Sequence, residues 1–328
     1  MTYLATSRAQ QTARNKVSPQ CKAANIDARV IFRYSFAMHT KSFAQMRRAA
    51  FALLILFAAP LFAEQRMIPL WKGVKNMRRA DSVMFMNKPK NANGTALIIC
   101  PGGSYHHLGM YNEGHCTAKY FNSLGVTTFV LRYRVARANW HHPAQLQDIQ
   151  RALQLVRENA HAYGIDVHKV GAIGFSAGGH LVTMAGAFAH TDNELEKIGI
   201  QTRVSLRPDF VVPIYPVVSM RDDIANIWSR KSLLHKDMSD ERKEKFSMEK
   251  QIPDDMPPTY IVACRDDSVV KFVNSELLFD ALNAKGVPCR FVAYNTGGHG
   301  FGMLNNVFMK AFHWNEDVRA WLSEIGML

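Results

Sequence analysis

Short apolar runs recur through residues 64–328 of this 328-residue chain, and each is bounded by glycine, proline or charged residues. Runs of this length that are rich in β-branched side chains are typical of buried strands. The predicted strands are Ser82–Met86, Ala96–Cys100, Thr127–Arg132, Val170–Phe175, Phe210–Val217, Thr259–Cys264 and Arg290–Tyr294. Segments with helical periodicity lie between many of them.

The clearest helix covers Ala144–Tyr163, because Leu146, Ile149 and Leu153 recur at the spacing of one helix face. Further helices are predicted over Gly114–Leu124, Val273–Lys285 and Val307–Glu324. Strands that alternate with helices predict the α/β class, with a mostly parallel, doubly wound sheet covered by helices on both faces. Ligands of such a sheet bind at the carboxyl ends of its strands.

One segment, Met220–Asp255, interrupts this alternation between two strands. It is highly charged, and Trp228, Leu233 and Leu234 are its isolated apolar residues. A long insertion at this point is interpreted either as a lid that shapes a substrate pocket or as a surface excursion. The sequence does not choose between the two.

A secretory signal peptide is predicted over residues 46–63. Met46 is followed by two arginines and an apolar core, and a small residue, Ala63, precedes Glu64. The apolar stretch, at about 15 residues, is shorter than the roughly 20 that a membrane span needs. Cleavage after Ala63 would deliver residues 64–328 to the periplasm or the exterior as a single α/β domain without a stable membrane anchor. Cleavage after Ala59 is the alternative.

Residues 1–45 precede this predicted signal and show no sustained hydrophobic periodicity. We therefore expect translation to begin at Met46, so that residues 1–45 are not part of the natural protein. The alternatives are a disordered basic extension or a segment resembling a transit peptide.

The positive charge of the chain is concentrated at its beginning. Residues 1–63 carry nine lysine or arginine residues and one acidic residue, and without them the formal net charge falls from +13 to about +5. This balance does not indicate nucleic-acid binding. No cysteine pair has zinc-site spacing, and the pairs His106-His107 and His141-His142 lack a carboxylate at a recognisable spacing, so no metal or other cofactor is predicted.

The most informative motif is Gly174-Phe175-Ser176-Ala177-Gly178. It follows the predicted strand Val170–Phe175 and leads into a segment with helical periodicity that includes Leu181. Strand, sharp turn and helix form a nucleophile elbow, in which glycines flank a serine that is exposed at the tip of the turn. Ser176 is therefore the candidate nucleophile, and the N–H groups of the following helix point toward the reacting oxygen.

The acid and base of a hydrolase triad are predicted downstream, in the order that this fold requires. Asp267 follows the strand Thr259–Cys264 and is the favoured acid, with its neighbour Asp266 as the alternative. His299 lies in a glycine-rich loop after the last strand and is the candidate general base. It would take the proton of Ser176, while the acid holds its tautomer and stabilises the imidazolium.

Pro101-Gly102-Gly103-Ser104 follows the strand Ala96–Cys100, where related hydrolases place half of their oxyanion hole. The backbone N–H of Gly103 or Ser104, together with that of Ala177, would stabilise the developing oxyanion. A simple Pro-Gly turn is the alternative. Tyr105 and Trp140 are candidates for stacking on a sugar ring, although ordinary packing is the favoured interpretation of each.

Taken together, these residues resemble the secreted acetylxylan and feruloyl esterase-like group of the α/β-hydrolase superfamily, often called xylanase-like. The resemblance spans nearly all of residues 64–328. Its motifs are Pro101 to Tyr105, Leu131 to Arg134, His142 to Ala144, Asp148-x-x-Arg151-Ala152, Gly171 to Leu181, Tyr215 to Val217, Pro257 to Thr259, Asp266-Asp267, Asn274-Ser275 and Gly297 to Gly302.

This resemblance implies a Ser176/Asp267/His299 esterase that acts without a cofactor on acylated plant polysaccharide such as xylan, with acetyl as the preferred acyl group. Members often have a His-Gly or His-Ala pair before the acid, where this chain has Ala263-Cys264. That departure concerns the pocket and therefore the substrate.

Three other functions fit the sequence less well. A serine exopeptidase of the prolyl-oligopeptidase type usually carries a large N-terminal propeller, which nothing between Glu64 and the first predicted strand could form. A non-catalytic hydrolase-fold binding protein would typically have lost the serine or the histidine. A lipase would need a larger apolar lid than the charged segment Met220–Asp255. The oligomeric state and any disulfide pairing stay open.

Overall fold

A single sheet of eight strands organises residues 64–328, the part of the chain that the computed structural model describes. Its strands are β1 (Glu64–Pro69), β2 (Val83–Lys88), β3 (Ala96–Cys100), β4 (Thr127–Arg132), β5 (Val170–Phe175), β6 (Val211–Ile214), β7 (Thr259–Cys264) and β8 (Cys289–Tyr294). The spatial order is β1-β2-β4-β3-β5-β6-β7-β8. β1 and β2 pair antiparallel at one edge, and the other strands run parallel.

The predicted strands are confirmed, with shifted ends for the second, sixth and eighth strands of the sheet. The prediction of Phe210–Val217 was too long, because the ladder of β6 ends at Ile214 and Tyr215 already has a positive φ of 37°. The edge strand β1 was missed. Gln65, Arg66 and Met67 are exposed there, so the strand carries no buried apolar pattern.

Nine α-helices surround the sheet within residues 64–328: α1 (Cys116–Ser123), α2 (Ala144–Glu158), α3 (Ala160–Tyr163), α4 (Ala177–Ala187), α5 (Ile227–Leu234), α6 (Asp240–Lys245), α7 (Val273–Ala284), α8 (Val307–Ala311) and α9 (Trp314–Glu324). A π-helical turn, Met110–His115, leads directly into α1.

Two predicted helices are interrupted. Ala144–Tyr163 breaks at Asn159, which separates α2 from α3. Val307–Glu324 breaks at Phe312, whose extended backbone lets its ring pack against Tyr294 and Phe308. In both places the apolar residues keep a helical spacing beyond the residue at which the helix ends. The sequence pattern therefore did not reveal the break.

The sheet buries an apolar layer on each face, as a doubly wound α/β fold requires. One layer contains Leu146, Leu181 and Leu278, from α2, α4 and α7. The opposite layer contains Phe121 and Trp321, from α1 and α9. Every residue of β5 is buried, because helices cover both of its faces. The predicted fold class is confirmed.

The insertion Met220–Asp255 contributes α5 and α6 and packs some of its apolar residues inward. Leu233 and Leu234 are buried in the same apolar layer as α2, and the N–H of His142 donates to the carbonyl of Leu233 at 2.9 Å. These two leucines are therefore core residues, although they are isolated apolar residues in the sequence of this charged segment. Trp228 of the same segment stays exposed.

The predictions for residues 1–45 and for the signal peptide, 46–63, lie outside the described residues. None of the helices within residues 64–328 has the length and apolarity needed to cross a membrane.

Candidate active site

Ser176 occupies the tight turn between β5 and α4. Its backbone has φ 54° and ψ −118°, and its N–H donates to the carbonyl of Ile214 at 2.9 Å. The turn leaves no room for flanking side chains. A Cβ at Gly174 would stand 2.0 Å from the carbonyl oxygen of Gly178, and one at Gly178 would stand 2.0 Å from that of Cys100. The neighbouring backbone therefore holds the serine in a strained conformation at the carboxyl end of the sheet.

His299 and Asp267 extend this serine into a chain of hydrogen bonds. Nε2 of His299 lies 2.9 Å from Oγ of Ser176, and Nδ1 lies 2.7 Å from Oδ2 of Asp267. The other carboxylate oxygen, Oδ1, accepts the N–H groups of Val269 and Val270 at 2.8 and 2.9 Å. Because the carboxylate only accepts, the proton of the neutral imidazole lies on Nδ1 and the lone pair of Nε2 faces the serine hydroxyl.

Asp266 faces a different partner. Its carboxylate accepts the N–H of Gly298 at 2.8 Å and that of Gly297 at 3.2 Å. These bonds, that of Gly298 foremost, lower the pKa of Asp266. The geometry thus separates the two adjacent aspartates: Asp267 contacts the histidine, and Asp266 holds the loop that carries it.

The loop after β3 lies directly against the serine. A Cβ at Gly102 would stand 2.9 Å from Cβ of Ser176. Gly103 and Ser104 both have positive φ, at 128° and 54°, which turns the loop sharply beside the serine. Within residues 64–328, no hydrogen bond engages the N–H of Gly103, Ser104 or Ala177. These three groups are available to an incoming oxygen, whereas the N–H of Gly102 is already bonded to a carboxylate.

The sequence matches the BD-FAE family over residues 84–282. The chain belongs to the BD-FAE family. It is 28% identical to an acetylxylan esterase of Xylanibacter ruminicola, over 85% of this chain and 55% of that protein. It is 34% identical to an endo-1,4-beta-xylanase B of Butyrivibrio fibrisolvens, over 67% of this chain and 34% of that protein. The chain thus spans about half, or less, of these curated relatives.

A solved structure agrees with this family membership. The acetyl ester-xyloside bifunctional hydrolase of Caldicellulosiruptor lactoaceticus superposes with a TM-score of 0.73 at 31% identity, covering 82% of this chain and 100% of that one. Together these similarities show that this BD-FAE member resembles acetylxylan esterase-like hydrolases and has the α/β-hydrolase fold.

In this BD-FAE member, Tyr105 anchors the loop after β3 in the apolar core. Its side chain is fully buried, and its hydroxyl lies 2.8 Å from Nδ1 of His180. Nε2 of His180 lies 2.8 Å from the carbonyl of Phe246, to which it donates, so Nδ1 accepts from the tyrosine. Burial lowers the pKa of His180 to about 4, which keeps this ring neutral near neutral pH. The prediction that Tyr105 stacks on a sugar is wrong, because a buried ring cannot meet substrate.

Trp140 follows the packing interpretation. It is half-buried, and the guanidinium of Arg134 lies 4.8 Å from the centre of its ring. Arg134 is itself buried, with an ion pair to Asp148 at 2.9 Å and a second ring, that of Trp71, at 5.1 Å. Arg134 and Asp148, which belong to motifs of the resemblance, therefore have structural roles in this cluster.

Two residues of the site were missed from the sequence. Glu113, in the π-helical turn, is buried below the loop after β3, and Tyr215 packs its ring 4.7 Å from that of His299. The hydroxyl of Tyr215 donates to Oε1 of Glu113 at 2.8 Å, although 102 positions separate the two residues. Tyr215 belongs to a motif of the resemblance, which assigned it no role, and no motif marks Glu113, so only the folded chain reveals the pair.

Within residues 64–328, no group of three or more histidine, cysteine, aspartate or glutamate side chains is arranged to hold a metal ion. The contacts around Ser176 bring together a serine hydroxyl, an imidazole bonded to a carboxylate, and unengaged backbone N–H groups. These are the parts that acyl transfer needs.

Proposed function

We propose that this chain is a serine esterase that hydrolyses short acyl esters, acetyl esters above all, on plant polysaccharide such as xylan. The single observation that carries the proposal is the chain of hydrogen bonds from Ser176 through His299 to Asp267. The substrate class is supported by the similarity to an acetylxylan esterase and to an acetyl ester-xyloside bifunctional hydrolase. The predicted export of the chain agrees with a polymeric substrate outside the cytoplasm.

In the first half of the reaction, Oγ of Ser176 attacks the ester carbonyl carbon while Nε2 of His299 takes the hydroxyl proton. The carbonyl oxygen becomes an oxyanion, which the N–H groups of Ala177 and of Gly103 or Ser104 stabilise. Collapse of this intermediate breaks the bond to the sugar oxygen. The imidazolium returns its proton to that oxygen, so the sugar alcohol leaves and the acyl group stays on the serine.

In the second half, water replaces the alcohol. His299 takes a proton from the water, whose oxygen attacks the acyl-serine carbonyl carbon. The second tetrahedral intermediate expels Oγ of Ser176, which regains its proton from the imidazolium. The products are the free acid and the restored serine, and the proposed steps use no cofactor.

The decisive experiment is acetate release from acetylated xylan by the purified protein, beside hydrolysis of p-nitrophenyl acetate and a feruloyl ester. Release of acetate from the polymer is the expected result. Cleavage of peptide substrates with none of the esters would favour the exopeptidase function. A folded protein with no activity on any of these substrates would contradict the proposal.

Trp228, rather than Tyr105 or Trp140, is proposed to meet the sugar. Its side chain is 68% exposed on α5, and its ring lies 6.4 Å from that of His106, on the loop after β3. Asn226, which caps α5, also donates to the carbonyl of Val269 beside the acid. An exposed indole beside the site offers an apolar face to the C–H face of a sugar ring.

We expect Trp228→Ala to raise KM for acetylated xylan about tenfold, the equivalent of about 1.4 kcal/mol, because it removes this stacking face. The kinetics on p-nitrophenyl acetate should stay near wild type. Met67→Ala, which removes an exposed side chain from the edge strand β1, is the matched control. Equal losses on both substrates, or an unchanged KM for the polymer, would contradict this role.

A further inference from the structure

A buried carboxylate lies beneath the site and takes no part in the steps above. Glu113 is 7% exposed, and it belongs to the π-helical turn Met110–His115. Turns of this kind are rare and often lie at functional sites. Burying a carboxylate is costly unless each of its oxygens is hydrogen-bonded. Its partners therefore show what the residue does.

One oxygen holds the loop after β3. Oε2 of Glu113 accepts the N–H of Gly102 at 2.7 Å. The loop closes over the carboxylate, because the N–H of Gly109 donates to the carbonyl of Gly102 at 2.9 Å and the N–H of Glu113 donates to that of Gly109 at 3.1 Å. Gly102 also lies against Ser176 and directly precedes Gly103 and Ser104. The carboxylate thus determines where the proposed oxyanion donors stand relative to the serine.

The other oxygen reaches the histidine side of the site. Oε1 accepts the hydroxyl of Tyr215 at 2.8 Å, and that hydroxyl accepts the N–H of Gly302 at 3.3 Å. Gly302 belongs to the loop of His299, whose ring packs on Tyr215. One buried side chain therefore connects the loop after β3 with the loop that carries the base.

The charge of this carboxylate also bears on the base. Burial raises the pKa of Glu113, and the bonds from Tyr215 and Gly102 and the positive charge of His299 act in the opposite direction. Glu113 faces Tyr215, Tyr133 and His299, while His299 faces Asp267, Tyr215 and Glu113. A second anion near the imidazole favours its protonated form.

We infer that Glu113 is a positioning residue of the proposed ester hydrolysis: it holds the oxyanion loop against Ser176, ties that loop through Tyr215 to the loop of His299, and supplies a buried negative charge near the imidazole. The inference rests on the proposed function. It assigns Glu113 no direct contact with substrate.

The test compares two replacements in the full chain. Glu113→Ala removes both acceptors, and kcat for p-nitrophenyl acetate should fall up to about 10²–10³-fold, the loss typical of a missing oxyanion donor, with KM nearly unchanged. Glu113→Gln keeps an acceptor for the N–H of Gly102 and should recover most of kcat. A rise in KM at unchanged kcat, or a glutamine variant no better than the alanine variant, would overturn the inference.

The pH profile provides the readout that a merely structural role would not move. The base must be neutral to act, so activity falls at low pH as His299 is protonated. Without the nearby anion the imidazolium is less stable, and the acid limb of kcat/KM should shift to lower pH in Glu113→Gln. Glu194→Gln, which neutralises a buried carboxylate paired with Lys197, should leave the limb in place. An unshifted limb in Glu113→Gln would overturn the charge effect.

Labelling by an organophosphonate separates this inference from the choice of substrate. The second-order rate constant for labelling needs the activated serine and the oxyanion hole but no natural substrate. Normal labelling of the wild type that slows in Glu113→Ala and largely recovers in Glu113→Gln supports the inference even where acetylated xylan is not cleaved. Absence of labelling in the folded wild type would overturn the serine mechanism and the role of Glu113 with it.

Discussion

Ser176→Ala is expected to lower kcat for ester hydrolysis by about 10⁶-fold, the largest effect of any single replacement in this chain. Alanine removes the oxygen that forms the acyl-enzyme, and Nε2 of His299 then faces a methyl group instead of a hydroxyl at 2.9 Å. The residual rate would come from the remaining oxyanion donors and from binding alone. The measurement is kcat on p-nitrophenyl acetate, together with the mass of the protein after organophosphonate treatment.

The wild type should gain one organophosphonate adduct and Ser176→Ala none. Ser219→Ala is the control, because it also removes a buried serine hydroxyl, one that accepts the N–H of Arg221, and it should retain activity and labelling. An alanine variant at position 176 that still hydrolyses esters at more than about one hundredth of the wild-type rate would mean that another group is the nucleophile.

Asp267→Asn is expected to lower kcat by about 10⁴-fold while the protein stays folded. The N–H groups of Val269 and Val270 would keep the remaining side-chain oxygen, so the new amide NH₂ would face Nδ1 of His299. An N–H in that position favours the tautomer with its proton on Nε2. The imidazole could then no longer take the proton of Ser176.

The adjacent aspartate offers a matched comparison. Asp266→Asn weakens two hydrogen bonds to the backbone of the histidine loop but leaves Asp267 in place, so its loss in kcat should stay within about tenfold. Both variants are measured on p-nitrophenyl acetate over a range of pH. A larger loss in Asp266→Asn than in Asp267→Asn would exchange the roles of the two residues.

The nucleophile elbow was predictable because its requirements are local. A strand, a helix and two glycines around Ser176 are all contiguous in the chain, and the close backbone contacts of Gly174 and Gly178 explain why other residues are excluded there. The central parallel strands β3, β5, β6 and β7 were predictable for a similar reason, since burial on both faces makes each a continuous apolar run.

Other features depend on packing that no local pattern encodes. The exposed edge strand β1 pairs through its backbone and needs no apolar side chains, so its sequence resembles a loop. Tyr105 looked like a surface aromatic residue of a glycine-rich loop, yet His180 and the core enclose it. Trp228 looked like one apolar point in a charged insertion, yet the fold brings it beside His106.

Short-range periodicity and turn chemistry were sufficient to predict the α/β class, the tight turn that presents Ser176 and the glycine-rich loop of His299. The tertiary structure alone decided which of two adjacent aspartates meets the histidine, which aromatic residue stays exposed, and that Glu113 joins Gly102 to Tyr215. The physical reason is that hydrogen-bond partners and burial belong to pairs of residues, and these pairs are far apart in the chain and close only after the sheet has formed.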